Sequence, residues 1–432
     1  MIASLERIWR AEQLRKSVIF VIAMLVLFRV IAHIPIPGVD AELLRQYFQQ
    51  NQILGLLNIF SGGTIAQFSV VALGVAPYIT ASIIFQLLGM IFPSLDELQK
   101  EGEYGKQKIN KWTRWLTVPL AVLQGYGLLA ILRASGPLAR GSAAGFASTP
   151  FGMTVAITTM VAGTIFLMWI GELITEKKIG NGMSLIIFAG IVAGLPTMLQ
   201  RAAATYDPSQ LFTMILYAAI AILTVIGVVL INEAQRNIPI AHARQVNAYA
   251  SVPGVENHLP LRVNMAGVIP IIFAISIMLF PPMVARFFFN VRSAWLVDVA
   301  HWVDALFANQ TFYAIVYFAL VFFFTFFYTS IVFQPEKIAE NLQKQSAFIP
   351  GVRPGKPTAE YIGQVTNRIL LAGGLFLATI AVLPHVLQQY SSATTIAVGG
   401  TSFLIVVPVV IETVKQIESQ LKTSEYDTYT KI

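Results

Sequence analysis

Residues 151–203 read FGMTVAITTMVAGTIFLMWIGELITEKKIGNGMSLIIFAGIVAGLPTMLQRAA, and this stretch decides the class of fold. Residues 151–173 and 183–203 are two apolar runs, each close to the roughly 20 residues that a helix needs to cross a bilayer. Between them stands a short polar turn with Lys177 and Lys178. Two spans joined by a basic turn are the repeating unit of a polytopic membrane protein, with the turn on the cytoplasmic side.

Outward from this pair, similar runs occupy 17–34, 74–92, 115–132, 211–231, 265–285, 312–333, 368–385 and 395–412, so ten spans are expected. Trp112, Trp115, Tyr78 and Tyr328 lie near span ends, where amphipathic rings are favoured. Composition agrees. Hydrophobic residues make up 56% of the chain and charged residues 12%, against about 25% charged in a soluble domain. Lipid must be part of the solvent. The absence of cysteine excludes disulfides, CxxC redox chemistry, iron–sulfur clusters and thiolate zinc sites. The run 17–34 exceeds the about 7–15 residues of a signal-peptide core, and no small-residue cleavage site follows it. It reads as a retained first span, preceded by an interfacial helix with Leu5, Ile8 and Trp9 on one face.

The formal net charge of +7 could suggest nucleic acid, but its distribution suggests membrane topology instead. With a cytoplasmic N-terminus and alternating loops, the inner segments hold 22 of the 29 Lys and Arg residues, among them Lys100, Lys106, Lys108, Lys111 and Arg114. The outer segments hold six, and Arg29 lies inside the first span. Both termini are therefore expected in the cytoplasm. Dividing the chain near residues 207–209 leaves five spans in each half, 1–208 and 209–432. An odd number per half inverts the second relative to the first, as in inverted-repeat membrane proteins.

The pattern breaks at 53–92, an apolar-rich stretch too long for one span. Ser61-Gly62-Gly63 and Gly74-Val75-Ala76-Pro77 interrupt it, which reads as a half-helix at about 57–69 followed by a full span. Non-spanning backbone at membrane depth must be buried in protein or line a wet cavity, so the stretch points to a pore with a segment folded into it. A helix in an outer loop is the alternative. Two loops, 232–264 and 334–367, are long, mixed in charge and too short for enzymatic domains; they are candidate docking sites or plain connections.

Catalytic constellations are not found. His33, His242, His258, His301 and His385 lack metal-ligand spacing, and no paired intramembrane carboxylates occur. The stretch from Gly351 to Thr358 imitates a phosphate loop but has three residues, not four, before Gly-Lys, and Pro357 where Ser or Thr must stand. The expectation is a non-enzyme without cofactor, metal or direct nucleotide binding, driven by a partner or by the membrane potential.

Seven segments in order resemble the SecY family: ALGVAPYITASIIFQLL (72–88), LQKEGEYGKQKINKWTRWLT (98–117), GELITEKKIGNGMSLIIFAGIVAGLP (171–196), NEAQRNIPI (232–240), NMAGVIPIIFA (264–274), FIPGVRPGKPT (348–358) and GGTSFLIVVPVVIE (399–412). The resemblance implies an all-α polytopic fold, ten helices in two inverted five-helix halves around a central pore, with a re-entrant plug. The plug would include Phe60, Ser61, Gly62, Gly63, Thr64 and Ile65. Ile79, Ile83, Ile187, Ile191, Ile269, Ile272 and Ile405 would form an apolar pore ring, and Gln86 and Gln124 would lie at a lateral gate. Arg236, Arg244, Arg353 and Lys356 match positions that engage the ribosome or the SecA motor ATPase.

The implied function is a passive protein-conducting channel of the cytoplasmic membrane. It would pass unfolded secretory polypeptides across and release apolar segments into lipid, with SecE and SecG as small membrane partners. An inverted-repeat secondary transporter for small solutes shares the topology and is the alternative reading. It would need ionisable groups at the membrane midplane; Arg29 and His33 in the first span are the main exceptions to their absence, and both are expected at a helix end.

Overall fold

In lipid a chain must satisfy its own backbone hydrogen bonds, and for an isolated apolar run the helix is the local solution. The computed structural model of the chain describes residues 9, 11–37, 44, 61, 63–65, 67–134, 149–204, 211–242, 257–289, 291, 293–390 and 399–429. Its elements in chain order are α1 (Glu12–Ala32), α2 (Ala76–Ile91), α3 (Pro93–Lys100), α4 (Glu103–Ala134), α5 (Pro150–Glu176), α6 (Gly182–Ala204), α7 (Leu211–Glu233), β1 (Gln235–His242), β2 (Asn257–Arg262), α8 (Ile269–Phe287), α9 (Ala294–Ala308), α10 (Gln310–Val332), α11 (Pro335–Lys344), β3 (Ala347–Phe348), α12 (Lys356–Tyr390) and α13 (Gly399–Tyr429).

Among the described residues, each of the ten expected spans coincides with a helix; α3, α9 and α11 are additional. Local chemistry sets the starts of α5 and α10. Thr149 caps α5 by accepting from the Gly152 N–H at 3.0 Å, with Pro150 in the first turn. Asn309 caps α10, its Oδ1 accepting from the N–H groups of Thr311 at 3.0 Å and Phe312 at 3.3 Å.

Helices and spans differ at their ends. α4, α12 and α13 have 32, 35 and 31 residues, about 46–53 Å at 1.5 Å per residue. The hydrocarbon core is only about 30 Å thick, so their polar ends, such as 103–114 of α4, continue as helix beyond it. The outward faces are apolar too. On α1, Leu14, Val21, Phe28 and Ala32 are buried, while Ile19, Ile22, Val26 and Val30 are all at least half exposed. A helix greasy on both sides suits a membrane, where lipid covers the outer face.

The chain resolves into two compact units. One comprises Met1–Pro208, Ser276–Ala308 and Val409–Ile432, and the other Ser209–Ile275 and Asn309–Pro408. In the first, α2, α4 and α5 pack successively, and α1 and α6 lie against α5. In the second, α10 packs along α12, and Gly227 of α7 faces the Phe376 ring, which a Cβ would approach to 2.8 Å.

The second unit also holds a three-stranded antiparallel sheet in the order β2-β1-β3. β1 pairs β2 from Gln235↔Arg262 to Ile240↔Asn257, and its end pairs β3 through Ala241↔Phe348 and His242↔Ala347. The described parts of the two long loops thus form one structure, an addition to the expected all-helical architecture. Its core is Ile238, Leu261, Leu342, Ala347, Ile349, Ile362 and Val365, all buried. Buried Asn264 fastens this module to α7, its Nδ2 donating to Asn232 Oδ1 at 2.8 Å and to the Gly267 carbonyl at 3.2 Å.

Candidate functional site

Of the expected plug residues, Phe60 and Gly62 lie outside the described residues; Ser61, Gly63, Thr64 and Ile65 begin a strap that runs to Val75. In place of the half-helix expected over about 57–69, the described part from Ser61 onward is a chain of turns. Glycine and local polar groups explain the form. Gly63 and Gly74 adopt φ of +80° and +57°, in the left-handed region that suits residues without a Cβ. The Thr64 hydroxyl donates to the Ser61 carbonyl at 2.8 Å, and Ser61 Oγ accepts from the Ile65 N–H at 3.3 Å. These bonds curl the chain locally instead of extending a helix.

The strap is buried, not laid on the surface as an outer-loop helix would be. Ser61, Thr64, Ile65, Phe68, Ser69, Val71 and Ala72 are all less than 7% exposed. On one side the Ile36 N–H donates to the Phe68 carbonyl at 2.8 Å and the Val70 N–H to the Ile34 carbonyl at 3.0 Å. On another, Ile65, Phe68, Ala72 and Leu73 share a core with Leu128, Leu129 and Leu132 of α4 and Met160 of α5. At Gly163 the strap backbone touches α5 so closely that a Cβ would stand 2.1 Å from the Val70 carbonyl oxygen. Phe68 itself has φ of +46°, unusual for an aromatic residue, and its ring is buried. Sequence reading located the break but not this seat, which no local signal encodes.

The isoleucines divide between the two units. Ile79 and Ile83 lie one turn apart on α2, and Ile187 and Ile191 one turn apart on α6; Ile83, Ile187 and Ile191 are buried and Ile79 half-buried. Ile269 and Ile272 lie in the first turn of α8, and Ile405 lies on α13; Ile272 and Ile405 are buried and Ile269 half-buried.

The two glutamines expected at a lateral gate are half-buried, Gln86 on α2 and Gln124 on α4, helices that pack together. Gln86 Nε2 donates to Ser82 Oγ at 3.1 Å, a bond within its own helix. Nearby on the same pair of helices the Phe85 and Trp112 rings stack with centroids 6.2 Å apart. α4 is also tied to α5, through Arg114 Nε and Glu172 Oε1 at 2.7 Å. Arg114 and Glu172 lie at the ends of the expected spans 115–132 and 151–173, and their pairing is not legible in the sequence.

Of the residues expected to dock a partner, Arg244 lies outside the described residues. Arg236, Arg353 and Lys356 are exposed and belong to the one module built from both loops: Arg236 on β1, Arg353 in the turn after β3 and Lys356 at the start of α12. Gly351 and Gly355, with φ of +85° and +95°, shape that turn. Thr358 Oγ1 donates to the Arg353 carbonyl at 2.7 Å, so the backbone is held while the guanidinium projects. In α11, Lys344 lies 2.7 Å from Glu340, and this hydrogen bond holds the Glu340 carboxyl below its ordinary value.

The family model described as SecY matches residues 69–414. A protein translocase subunit SecY from Corynebacterium glutamicum is 44% identical over 435 residues, covering 97% of this chain and 98% of the relative. The fold is similar to a solved protein-conducting channel, with a TM-score of 0.63 at 17% identity, over 94% of this chain and 92% of that one. It is also similar to Sec61 in the canine ribosome–channel complex from the endoplasmic reticulum, with a TM-score of 0.61 at 16% identity and the same coverage.

Proposed function

We infer the function from one premise: this chain belongs to the SecY family. It is a multi-pass membrane protein and a protein-conducting channel. The observation that carries this conclusion is the full-length match to translocase subunits, which runs through every span and both long loops. The reading as a solute transporter has no such support.

Beyond the family's function, we propose the following division of labour. Ile79, Ile83, Ile187, Ile191, Ile269, Ile272 and Ile405 form a constriction around the translocating chain. Apolar, branched side chains can close around unrelated segments without binding any of them strongly, and an empty apolar constriction resists wetting by ions. The strap that begins at Ser61 is the base of the plug; its burial between α4 and α5 supports a fixed seat from which the preceding residues can act. Gln86 and Gln124 lie at the gate through which apolar segments leave for lipid.

The β1–β3 module is the docking platform for a ribosome or for the SecA motor, with Arg236, Arg353 and Lys356 as its exposed cations. The channel is passive, and its energy comes from such partners or from the membrane potential. SecE and SecG are its proposed membrane partners. Its place is the cytoplasmic membrane with both termini inside, a reading supported by the 22-to-6 distribution of Lys and Arg.

The test is photo-crosslinking from Ile83 and Ile187 while a secretory chain is stalled in transit. Crosslinks to the stalled chain are expected at both positions. Crosslinks only to lipid or to neighbouring helices would overturn the constriction assignment and leave family membership untouched.

A further inference from the structure

Helix α9 was not among the expected spans and is too short to be one. Its 15 residues rise about 22 Å, less than the about 30 Å of a hydrocarbon core. Its circumference carries three different surfaces. Ala300, only 3% exposed, marks the side packed on the protein. Trp295, Val299 and Trp302, spaced by four and three residues, form a stripe that is 70%, 41% and 65% exposed. Asp298 and His301, also exposed, lie beside that stripe on the third surface, and the His301 ring stacks on Phe289 with centroids 4.3 Å apart.

Two tryptophans and a valine in open water would be costly, since exposed apolar surface is opposed by about 25 cal/mol per Å2. What covers them follows from the chain itself. α9 ends at Ala308, Asn309 caps α10, and α10 is a largely apolar helix of 23 residues from Gln310 to Val332, long enough to cross a membrane. With one residue between them, the end of α9 stands at the membrane surface. Indole rings favour that depth because the ring is apolar and its N–H still reaches polar headgroups. No Lys or Arg occurs in AWLVDVAHWVDALFA, so attraction to anionic headgroups plays no part.

We propose that α9 is an interfacial anchor lying in the plane of the bilayer surface. Trp295, Val299 and Trp302 insert among the upper acyl chains, and Asp298 and His301 face water. The occupant of the stripe is lipid, not a protein partner. This holds independently of how polypeptides pass through the molecule.

The natural chain has no cysteine, so single spin labels can be placed without further changes. The full chain carrying Asp298→Cys, Val299→Cys, His301→Cys or Trp302→Cys is labelled in phosphatidylcholine vesicles. Collision with oxygen, which concentrates in lipid, is compared with collision with a water-soluble nickel chelate. The ratio of oxygen to nickel accessibility is expected to be at least about threefold higher at Val299 and Trp302 than at Asp298 and His301. Equal nickel access at all four positions would mean a water-exposed helix and overturn the proposal. So would protection of Val299 and Trp302 from both reagents, which would mean a protein-covered one.

A second measurement retains the native side chain. With the other five of the six tryptophans changed to Phe, Trp302 fluorescence is read in vesicles brominated near the headgroups or deep in the acyl chains. Stronger quenching by the shallow bromines is expected. Absence of quenching, or stronger quenching by the deep ones, contradicts an interfacial position.

Discussion

Gly163 is the point where α5 and the strap meet backbone to backbone. A methyl group there would stand 2.1 Å from the Val70 carbonyl oxygen, closer than real Cβ contacts come, so α5 or the strap must move. Overpacking of this kind costs about 1–3 kcal/mol. Gly163→Ala is expected to lower the thermal midpoint of the purified protein. If the strap is the seat of a plug, it also raises ion conductance across vesicles holding the resting channel. A variant with reduced stability and an unchanged seal would separate the packing role from the sealing role. Phe68 and Gly74 mark the same strap as a special backbone, but only the glycine announced itself in sequence. An aromatic residue at positive φ is held there by its surroundings, in this case a buried ring between α4 and α5.

At the scale of elements, the β1–β3 module joins two loops that sequence reading treated as separate. Leu261 on β2 is 1% exposed, in a core shared with Leu342 of α11 and Ile362 of α12. Leu261→Ala is expected to cost about 2–4 kcal/mol and, if the module is the proposed docking platform, to weaken partner docking because the platform itself loosens. Arg353→Glu is the contrasting case. Its side chain is exposed and its backbone carbonyl is held by Thr358, so stability should change by less than about 0.5 kcal/mol in denaturant titrations. Partner affinity, measured by fluorescence anisotropy, should fall about tenfold through like-charge or lost-charge contact. Normal affinity in Arg353→Glu would remove that residue from the docking surface. The alternation of Ile238 and Ile240 with Asn237 and Pro239 is a strand pattern, but a weak one in eight residues.

At the scale of the molecule, among the described residues a helix stands at each expected apolar run, and the long ones outrun the membrane because helix formation does not end where lipid does. The orientation inferred from charge is open to a direct check in intact cells. Single cysteines replacing Lys106 and Lys422 are expected to resist a membrane-impermeant maleimide added outside, whereas one replacing Asp298 reacts. Outside labelling at Lys422 would reverse the placement of the C-terminus.

What the amino-acid sequence determined by itself is whatever depends on local composition: which runs lipid can dissolve and where along the chain their basic flanks stand. The order of its motifs also sufficed to point to the family. Tertiary structure alone decided which distant groups meet. Arg114 and Glu172 are 58 positions apart, and their 2.7 Å contact depends on how α4 lies along α5. The pairing of β1 with β3 and the seating of the strap on Gly163 are of the same kind. Hydropathy is a property of a window of residues. A close contact is a property of two surfaces brought together, and its energy is settled by fractions of an ångström that no single window contains.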